Sequence, residues 1–221
     1  MSTLIHMIAL LDRFANDSND KDYDRAVTYC NNIMDSCPAS SNYAAMKCEY
    51  LLRALRLKDA KDFSAELMKN PDMKDVPLIK CWRARITIYA GQENAGKQQL
   101  QDVLREDPDM TDAMRTLKAL KAAAAKKEEA SQIFKNNQFE QAIAAFEECI
   151  ALDPLNLTFN STVYLNKAIC QVKLGKNEEA LTTLNICLKM VPDYAKALVK
   201  RGEVHQNLED WEDAVHDYSA A

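Results

Sequence analysis

Small and large apolar residues recur with a fixed spacing along the C-terminal half of the chain. Residues 130–154 carry Ala, Ile, Ala, Phe, Cys and Pro in that order, and residues 168–192 and 202–221 repeat the spacing. The residue in the middle of each repeat is small, and these residues are Ala142, Ala180 and Ala214. We call each repeated position of this kind a slot. Small residues let two antiparallel helices approach closely while larger apolar residues fill the space around them. The pattern therefore predicts a stack of helical hairpins.

The same pattern recurs more faintly in the N-terminal half, where three further hairpins are predicted. Prolines punctuate the chain at positions 38, 71, 108, 154 and 192. Because the residue before a proline avoids the helical conformation, each of these prolines marks the end of a second helix. The predicted fold class is all-α, an α-solenoid of antiparallel helix pairs with a right-handed superhelical twist and no β-sheet.

The longest interval between prolines runs from position 108 to position 154. It holds more residues than one helical hairpin needs, and this surplus divides the predicted array into two blocks. We predict a three-repeat block over residues 1–110, a connecting helix over 111–122 and a second block over 123–221. Residues 122–125 are all alanine, the residue that favours a helix most. The alternative is therefore one long helix that continues to Lys135. Extra residues at 155–162 indicate an extended loop or a longer helix end. The second block is truncated in its third repeat and lacks the polar cap that a solenoid needs, so we expect a fragment of a longer protein.

Composition agrees with a helical array. Glycine and proline together make up 10 of the 221 residues, too few for the turns of a many-stranded sheet. Lys and Arg number 28 against 33 Asp and Glu. The net charge of −5 gives no general attraction to nucleic acid or to an anionic membrane. Any anion-binding function must come from a local basic cluster.

The seven cysteines are odd in number, widely spaced and never in a Cys-x-x-Cys pair, which argues against a disulfide framework or a zinc site. We expect buried thiols, with Cys149 and Cys187 in small-residue slots of the second helices. The apolar stretch at residues 3–11 is far shorter than the ~20 residues that span a bilayer. It also lacks the flanks of a signal peptide. The sequence predicts a cytoplasmic protein with no metal and no cofactor.

One segment resembles a phosphate-binding loop. Residues 91–98 read Gly-Gln-Glu-Asn-Ala-Gly-Lys-Gln and follow Arg-Ile-Thr-Ile-Tyr at residues 85–89, as such a loop follows a strand. Gln98 stands where a hydroxyl would have to hold magnesium, and Gly96 occupies a small-residue slot of the repeat. The three histidines, His6, His205 and His216, show no spacing typical of nucleophilic catalysis. We interpret the loop as a turn between helices and predict that the chain is not an enzyme.

Basic and polar residues recur at comparable positions on three successive first helices of the C-terminal block. They are Lys127 and Ser131 on the first helix, Asn166 on the second, and Lys196 and Lys200 on the third. First helices line the concave face of such arrays, so these side chains are expected to converge on one strip, which Lys173 extends. Converging donors of this kind suit an extended peptide with a free C-terminal carboxylate. The alternative is that the lysines are solvated helix surface.

The repeats resemble the tetratricopeptide family, and the basic set resembles the dicarboxylate clamp of its co-chaperones. The resemblance implies a tetratricopeptide-repeat superhelix. It also implies that the partners are the acidic Glu-Glu-Val-Asp C-terminal tails of heat-shock protein 70 and heat-shock protein 90. The family usually has Asn at the position of Ser131, and often Arg at that of Lys200. A hydroxyl reaches less far than a carboxamide, so either the affinity is reduced or water fills the gap at Ser131.

A more specific resemblance covers nearly the whole chain. Residues 114–121, Met-Arg-Thr-Leu-Lys-Ala-Leu-Lys, and residues 126–130 are similar to the inter-block helix of DnaJ-type co-chaperones with multiple tetratricopeptide repeats. The insertion at residues 153–158 fits the same family. That family carries a J domain, whose His-Pro-Asp tripeptide does not occur in these 221 residues. The resemblance therefore implies that this stretch docks chaperones without stimulating their ATPase activity.

The N-terminal block shows no clamp. The equivalent slots hold Leu11, Ala15, Ala45, Leu78 and Trp82, all apolar. The leading interpretation is an adaptor that docks chaperone tails in the C-terminal block. A generic tetratricopeptide scaffold for a multiprotein assembly is the alternative, and an enzyme comes third. The sequence identifies no partner for the N-terminal block.

Overall fold

The computed structural model describes Ala9 and residues 22–221. Between residues 22 and 221 the regular structure consists of eleven α-helices and no strand, which confirms the all-α prediction. The helices are α1 (Tyr23–Ser36), α2 (Ser41–Arg53), α3 (Leu57–Leu67), α4 (Pro77–Tyr89), α5 (Glu93–Glu106), α6 (Thr111–Lys135), α7 (Phe139–Leu152), α8 (Leu157–Lys173), α9 (Asn177–Met190), α10 (Ala195–Asn207) and α11 (Trp211–Ala220).

The helices form two compact units. The described residues up to Leu117 form the N-terminal unit, and Lys118 to Ala221 form the C-terminal unit. Consecutive helices pack against each other from α1 to α5 and again from α7 to α11. The boundary between the units falls inside α6. The finer limits of two blocks at 1–110 and 123–221 with a connecting helix at 111–122 remain a prediction.

The lengths of α6 and α8 decide between alternatives that the sequence leaves open. The alanines at residues 122–125 lie within α6, which runs unbroken over 25 residues. The extra residues after Pro154 form a longer helix end, because α8 has 17 residues whereas α9 has 14 and α10 has 13. The Asn156 side chain caps this extension by accepting a hydrogen bond from the Phe159 N–H at 3.2 Å.

The segment that resembles a phosphate-binding loop is a turn between two helices. Residues 85–89 belong to α4 rather than to a strand, and Gly91 turns the chain with a φ of 85°. Gly96 lies where α5 crosses α4, and a Cβ there would come within 2.6 Å of the Ala84 carbonyl oxygen. The glycine therefore serves close helix packing, and the interpretation as a repeat turn is confirmed.

The small-residue slots of the C-terminal unit are buried as predicted. Cys149 on α7 and Cys187 on α9 have no exposed surface. The Cys149 thiol donates to the carbonyl oxygen of Ala123 at 3.3 Å, and the Cys187 thiol donates to that of Ser161 at 3.1 Å. Each thiol thus satisfies a carbonyl of the first helix at the same position of two successive repeats. The middle slots, held by Ala142, Ala180 and Ala214, are buried as well.

The expectation that all seven thiols are buried is wrong for Cys37, which is exposed. Cys37 is the C-cap residue of α1 and precedes Pro38, so it sits in a turn outside the helix interfaces. No helix among the described residues is both long and apolar enough to cross a membrane. Within the same residues, His, Cys, Asp and Glu form no group of three that could hold a metal ion.

Candidate peptide-binding site

α6 and α8 bring two of the predicted site residues together. Ser131 and Asn166 line one cavity of about 230 Å³, whose wall is otherwise mainly apolar and includes Phe134, Phe146 and Ile169. The Ser131 hydroxyl donates to the carbonyl oxygen of Lys127 at 2.8 Å, one turn earlier on α6. The cavity therefore combines a hydroxyl, a carboxamide and the Lys135 side chain with an apolar wall, a combination typical of ligand pockets.

Lys127 lies one helical turn before Ser131 and also faces α8. Its Nζ donates to the Thr162 hydroxyl at 2.7 Å and stands 5.0 Å from the centre of the Phe159 ring. Thr162 in turn lies one turn before Asn166. The groove between α6 and α8 thus carries two successive polar positions, one formed by a lysine and a threonine and the other by a serine and an asparagine.

The remaining predicted residues lie on α10 and at the end of α8. Lys196 and Lys200 are one turn apart and share a face of α10, a helix that also contacts α8. Lys196 is exposed, whereas Lys200 is partly buried and forms an ion pair with Glu203 on its own helix. Lys173 is the last residue of α8 and is exposed.

Neighbouring lysines of the first helices are engaged in structural ion pairs. Lys126 contacts Glu148 at 2.6 Å, and Lys167 contacts Glu147 at 2.7 Å. These pairs tie α6 and α8 to α7. Adjacent lysines on one helix therefore make different contacts, since Lys126 pairs with α7 while Lys127 contacts α8.

Thr162 and Phe159 contact Lys127 and are candidate site residues that the repeat pattern did not predict. Neither belongs to the clamp pattern, and a threonine within a helix is an ordinary observation. One signal was available, because Thr162 precedes Asn166 by four residues and four residues place two side chains on one helix face.

Two of the equivalent positions of the N-terminal unit belong to its core. Ala45 and Trp82 are each 7% exposed and belong to the core, which agrees with their apolar character. Leu78 is partly buried. Leu11 and Ala15 lie outside the described residues. The described residues thus place a polar groove in the C-terminal unit and core side chains at the matching positions of the N-terminal unit.

Comparison with known proteins supports the resemblance to co-chaperones. The chain is 26% identical over 190 residues to a DnaJ homolog subfamily C member 7 homolog of Dictyostelium discoideum, over 86% of this chain and 35% of that protein. It is 25% identical over 202 residues to human DnaJ homolog subfamily C member 7, over 91% of this chain and 40% of that protein. The chain thus spans well under half the length of these relatives.

A solved structure and a family model identify the repeats. The P58(IPK) TPR domain superposes with a TM-score of 0.52 at 19% identity, over 99% of this chain and 60% of that one, which shows the fold. Residues 134–201 match the family model of the tetratricopeptide repeat. The chain therefore carries tetratricopeptide repeats over residues 134–201 and is similar to DnaJ homolog subfamily C member 7, which confirms the resemblance found in the sequence.

Proposed function

We propose that this chain is a non-enzymatic, cytoplasmic co-chaperone adaptor. Its C-terminal unit binds the acidic C-terminal tails of heat-shock protein 70, heat-shock protein 90 or both through a carboxylate clamp. The site residues are Lys127, Ser131, Asn166, Lys173, Lys196 and Lys200. The observation that carries the proposal is the groove between α6 and α8, where Ser131 and Asn166 line one cavity and Lys127 lies one turn away.

The chemistry of the groove suits a terminal carboxylate. Asn166 is half-buried, and its carboxamide can donate to a carboxylate oxygen that enters the cavity. Lys196 can supply a charge-assisted hydrogen bond to the same group from α10, and Lys127 can balance an acidic side chain of the tail. The apolar wall of the cavity receives the aliphatic part of the peptide.

Two features make this clamp weaker than the family pattern. Ser131 uses its proton on the carbonyl oxygen of Lys127, so it offers the ligand an acceptor unless the hydroxyl rotates. Lys200 pairs with Glu203, and an incoming carboxylate has to compete with that side chain. A ligand therefore depends chiefly on Asn166 and Lys196.

The test is a titration of a fluorescent Glu-Glu-Val-Asp tail peptide into the full chain and its variants. Lys196→Ala should lower the affinity about 10- to 150-fold, because a hydrogen bond to a charged group contributes about 1.5–3 kcal/mol. Ser131→Asn should leave the affinity equal or raise it. Lys189→Ala is the matched control, since Lys189 is an exposed lysine on α9, the second helix of its repeat, and should change nothing.

Equal affinity of the wild type and Lys196→Ala would contradict the clamp. So would the absence of any binding by the wild type. Either result favours the generic scaffold, in which the lysines are solvated surface.

A further inference from the structure

The hydroxyl of Thr162 donates one hydrogen bond and accepts another. It donates its one proton to the carbonyl oxygen of Phe159 at 2.8 Å, within α8. Its lone pairs are then directed at Lys127, whose Nζ approaches to 2.7 Å from α6. Because a hydroxyl has a single proton, the direction of the bond from the ammonium group to the hydroxyl is fixed.

The Phe159 ring gives Lys127 a second contact. Nζ stands 5.0 Å from the centre of the ring, within the range in which a cation is attracted to an aromatic face. Phe159 itself packs against the core formed by α6, α7 and α8, so its ring is held in place. A lysine has many rotamers in solution, and two contacts to a fixed helix reduce that freedom before any ligand arrives.

The neutral character of Thr162 matters for the charge at the site. A hydroxyl holds an ammonium group without cancelling its charge, whereas a carboxylate neutralises it. Lys200 shows the second case, because Glu203 on the same helix is its partner. The two lysines thus differ in the group that contacts each of them, a neutral hydroxyl for Lys127 and a carboxylate for Lys200.

We propose that Thr162 is a positioning residue that presets Lys127 for the acidic side chains of a bound tail. The inference rests on the proposed clamp. Thr162 and Asn166 lie one turn apart on α8, opposite Lys127 and Ser131 on α6, so the preset lysine stands beside the cavity where the carboxylate is expected. Positioning lowers the conformational entropy that is lost on binding and so raises the affinity.

Thr162→Val tests this role because valine keeps the branched shape and removes the hydroxyl. We expect the affinity of the full chain for the Glu-Glu-Val-Asp peptide to fall about 3- to 10-fold, the loss typical of one hydrogen bond. Thr162→Ser keeps the hydroxyl and should bind within about twofold of the wild type. In a Lys127→Ala background the valine variant should cause no further loss, since its effect acts through Lys127.

Two outcomes of the titrations would overturn the proposal. One is unchanged affinity of Thr162→Val. The other is an equal loss with and without Lys127, which would mean that the valine disturbs α8 itself.

A ligand-free measurement separates this proposal from the clamp. The rate at which Lys127 is acylated by an activated ester, read by mass spectrometry, should rise in Thr162→Val because the ammonium group loses its hydrogen bond to the hydroxyl. An unchanged rate would overturn the positioning even if the peptide binds. If Thr162→Val is acylated faster than the wild type but the wild type binds no peptide, Thr162 does position Lys127 and the clamp is rejected. That result overturns the proposed role of Thr162 in binding a tail.

Discussion

The two units use the same helix pairs and differ in what they place on the first helices. In the N-terminal unit Ala45 and Trp82 are core residues. In the C-terminal unit the matching helices carry Lys127 and Asn166, which face a groove. The fold therefore does not distinguish the unit that we propose to bind a peptide from the other unit. The difference lies in a few polar side chains on a shared scaffold.

The largest difference between the two units is expected in the alkylation rates of their cysteines. Cys37 is exposed in the N-terminal unit, whereas Cys149 and Cys187 are buried in small slots, and burial raises the pKa of Cys187 to about 11. We expect Cys37 to react with iodoacetamide at least about 100-fold faster, since a local opening of about 3 kcal/mol is needed to expose the buried thiols. Mass spectrometry of a time course gives the rates. Similar rates for the three thiols would show that the slots are not closed.

The two glycines at helix crossings should respond differently to alanine. A Cβ on Gly96 would meet the Ala84 carbonyl, which belongs to the backbone, while a Cβ on Gly202 would meet only the Tyr218 ring, at 2.8 Å. Overpacking against backbone costs about 1–3 kcal/mol, so Gly96→Ala should lower the free energy of unfolding by about 2 kcal/mol. Gly202→Ala should lose less than about 1 kcal/mol, because Tyr218 is partly exposed and alanine favours the helix.

Urea unfolding followed by fluorescence distinguishes these cases, because Trp82 reports on the N-terminal unit and Trp211 on the C-terminal unit. Equal losses in the two variants would contradict the assignment of Gly96 to a backbone contact.

The contribution of an ion pair to the free energy of unfolding should depend on how deeply the pair is buried. Asp217 is 1% exposed and accepts two hydrogen bonds from Arg201, at 2.7 and 2.5 Å. Asp217→Asn should lower the free energy of unfolding by about 2 kcal/mol, less than for a fully buried pair because Arg201 reaches solvent. Glu49→Gln breaks an exposed pair with Arg53 in the N-terminal unit and should cost less than about 0.5 kcal/mol. Urea unfolding measures both variants, and a larger loss for Glu49→Gln would reverse the ranking.

The smallest effect is expected from Lys47, the half-buried lysine of α2. Its Nζ stands 3.7 Å from the centre of the Phe63 ring, and burial lowers the pKa of the ammonium group. The folded state then binds fewer protons than the unfolded state as the pH approaches the usual lysine range, so stability rises with pH there. Between pH 8 and 10 the free energy of unfolding of the wild type should therefore increase relative to that of Lys47→Met. A constant difference would show that Lys47 titrates alike in both states.

The repeat spacing was sufficient to predict the fold, because each slot of a helical hairpin restricts residue size. Ala142 and Cys149 could be assigned to buried slots from spacing alone. The same spacing placed Ser131 and Asn166 on facing helices, where they share a cavity. Spacing carries this information because adjacent first helices have the same orientation in every repeat.

Other features depend on contacts between distant residues and left no pattern in the sequence. The hydrogen bond from Lys127 to Thr162 joins residues 35 apart, across two helices. The pairing of Lys200 with Glu203 is local, but a spacing of three permits an ion pair without requiring it. Cys37 follows the helical pattern up to the last turn of α1, and only the end of that helix makes it exposed.

The central claim is that the C-terminal unit recognises a free carboxylate. The most direct measurement titrates the full chain with one Glu-Glu-Val-Asp peptide as the free acid and with the same peptide amidated at its C-terminus. We predict at least about 10-fold weaker binding of the amide, because it removes the charge that Asn166 and Lys196 are proposed to contact, and weaker binding of the acid as salt is added. Equal affinity of the two peptides would contradict the clamp.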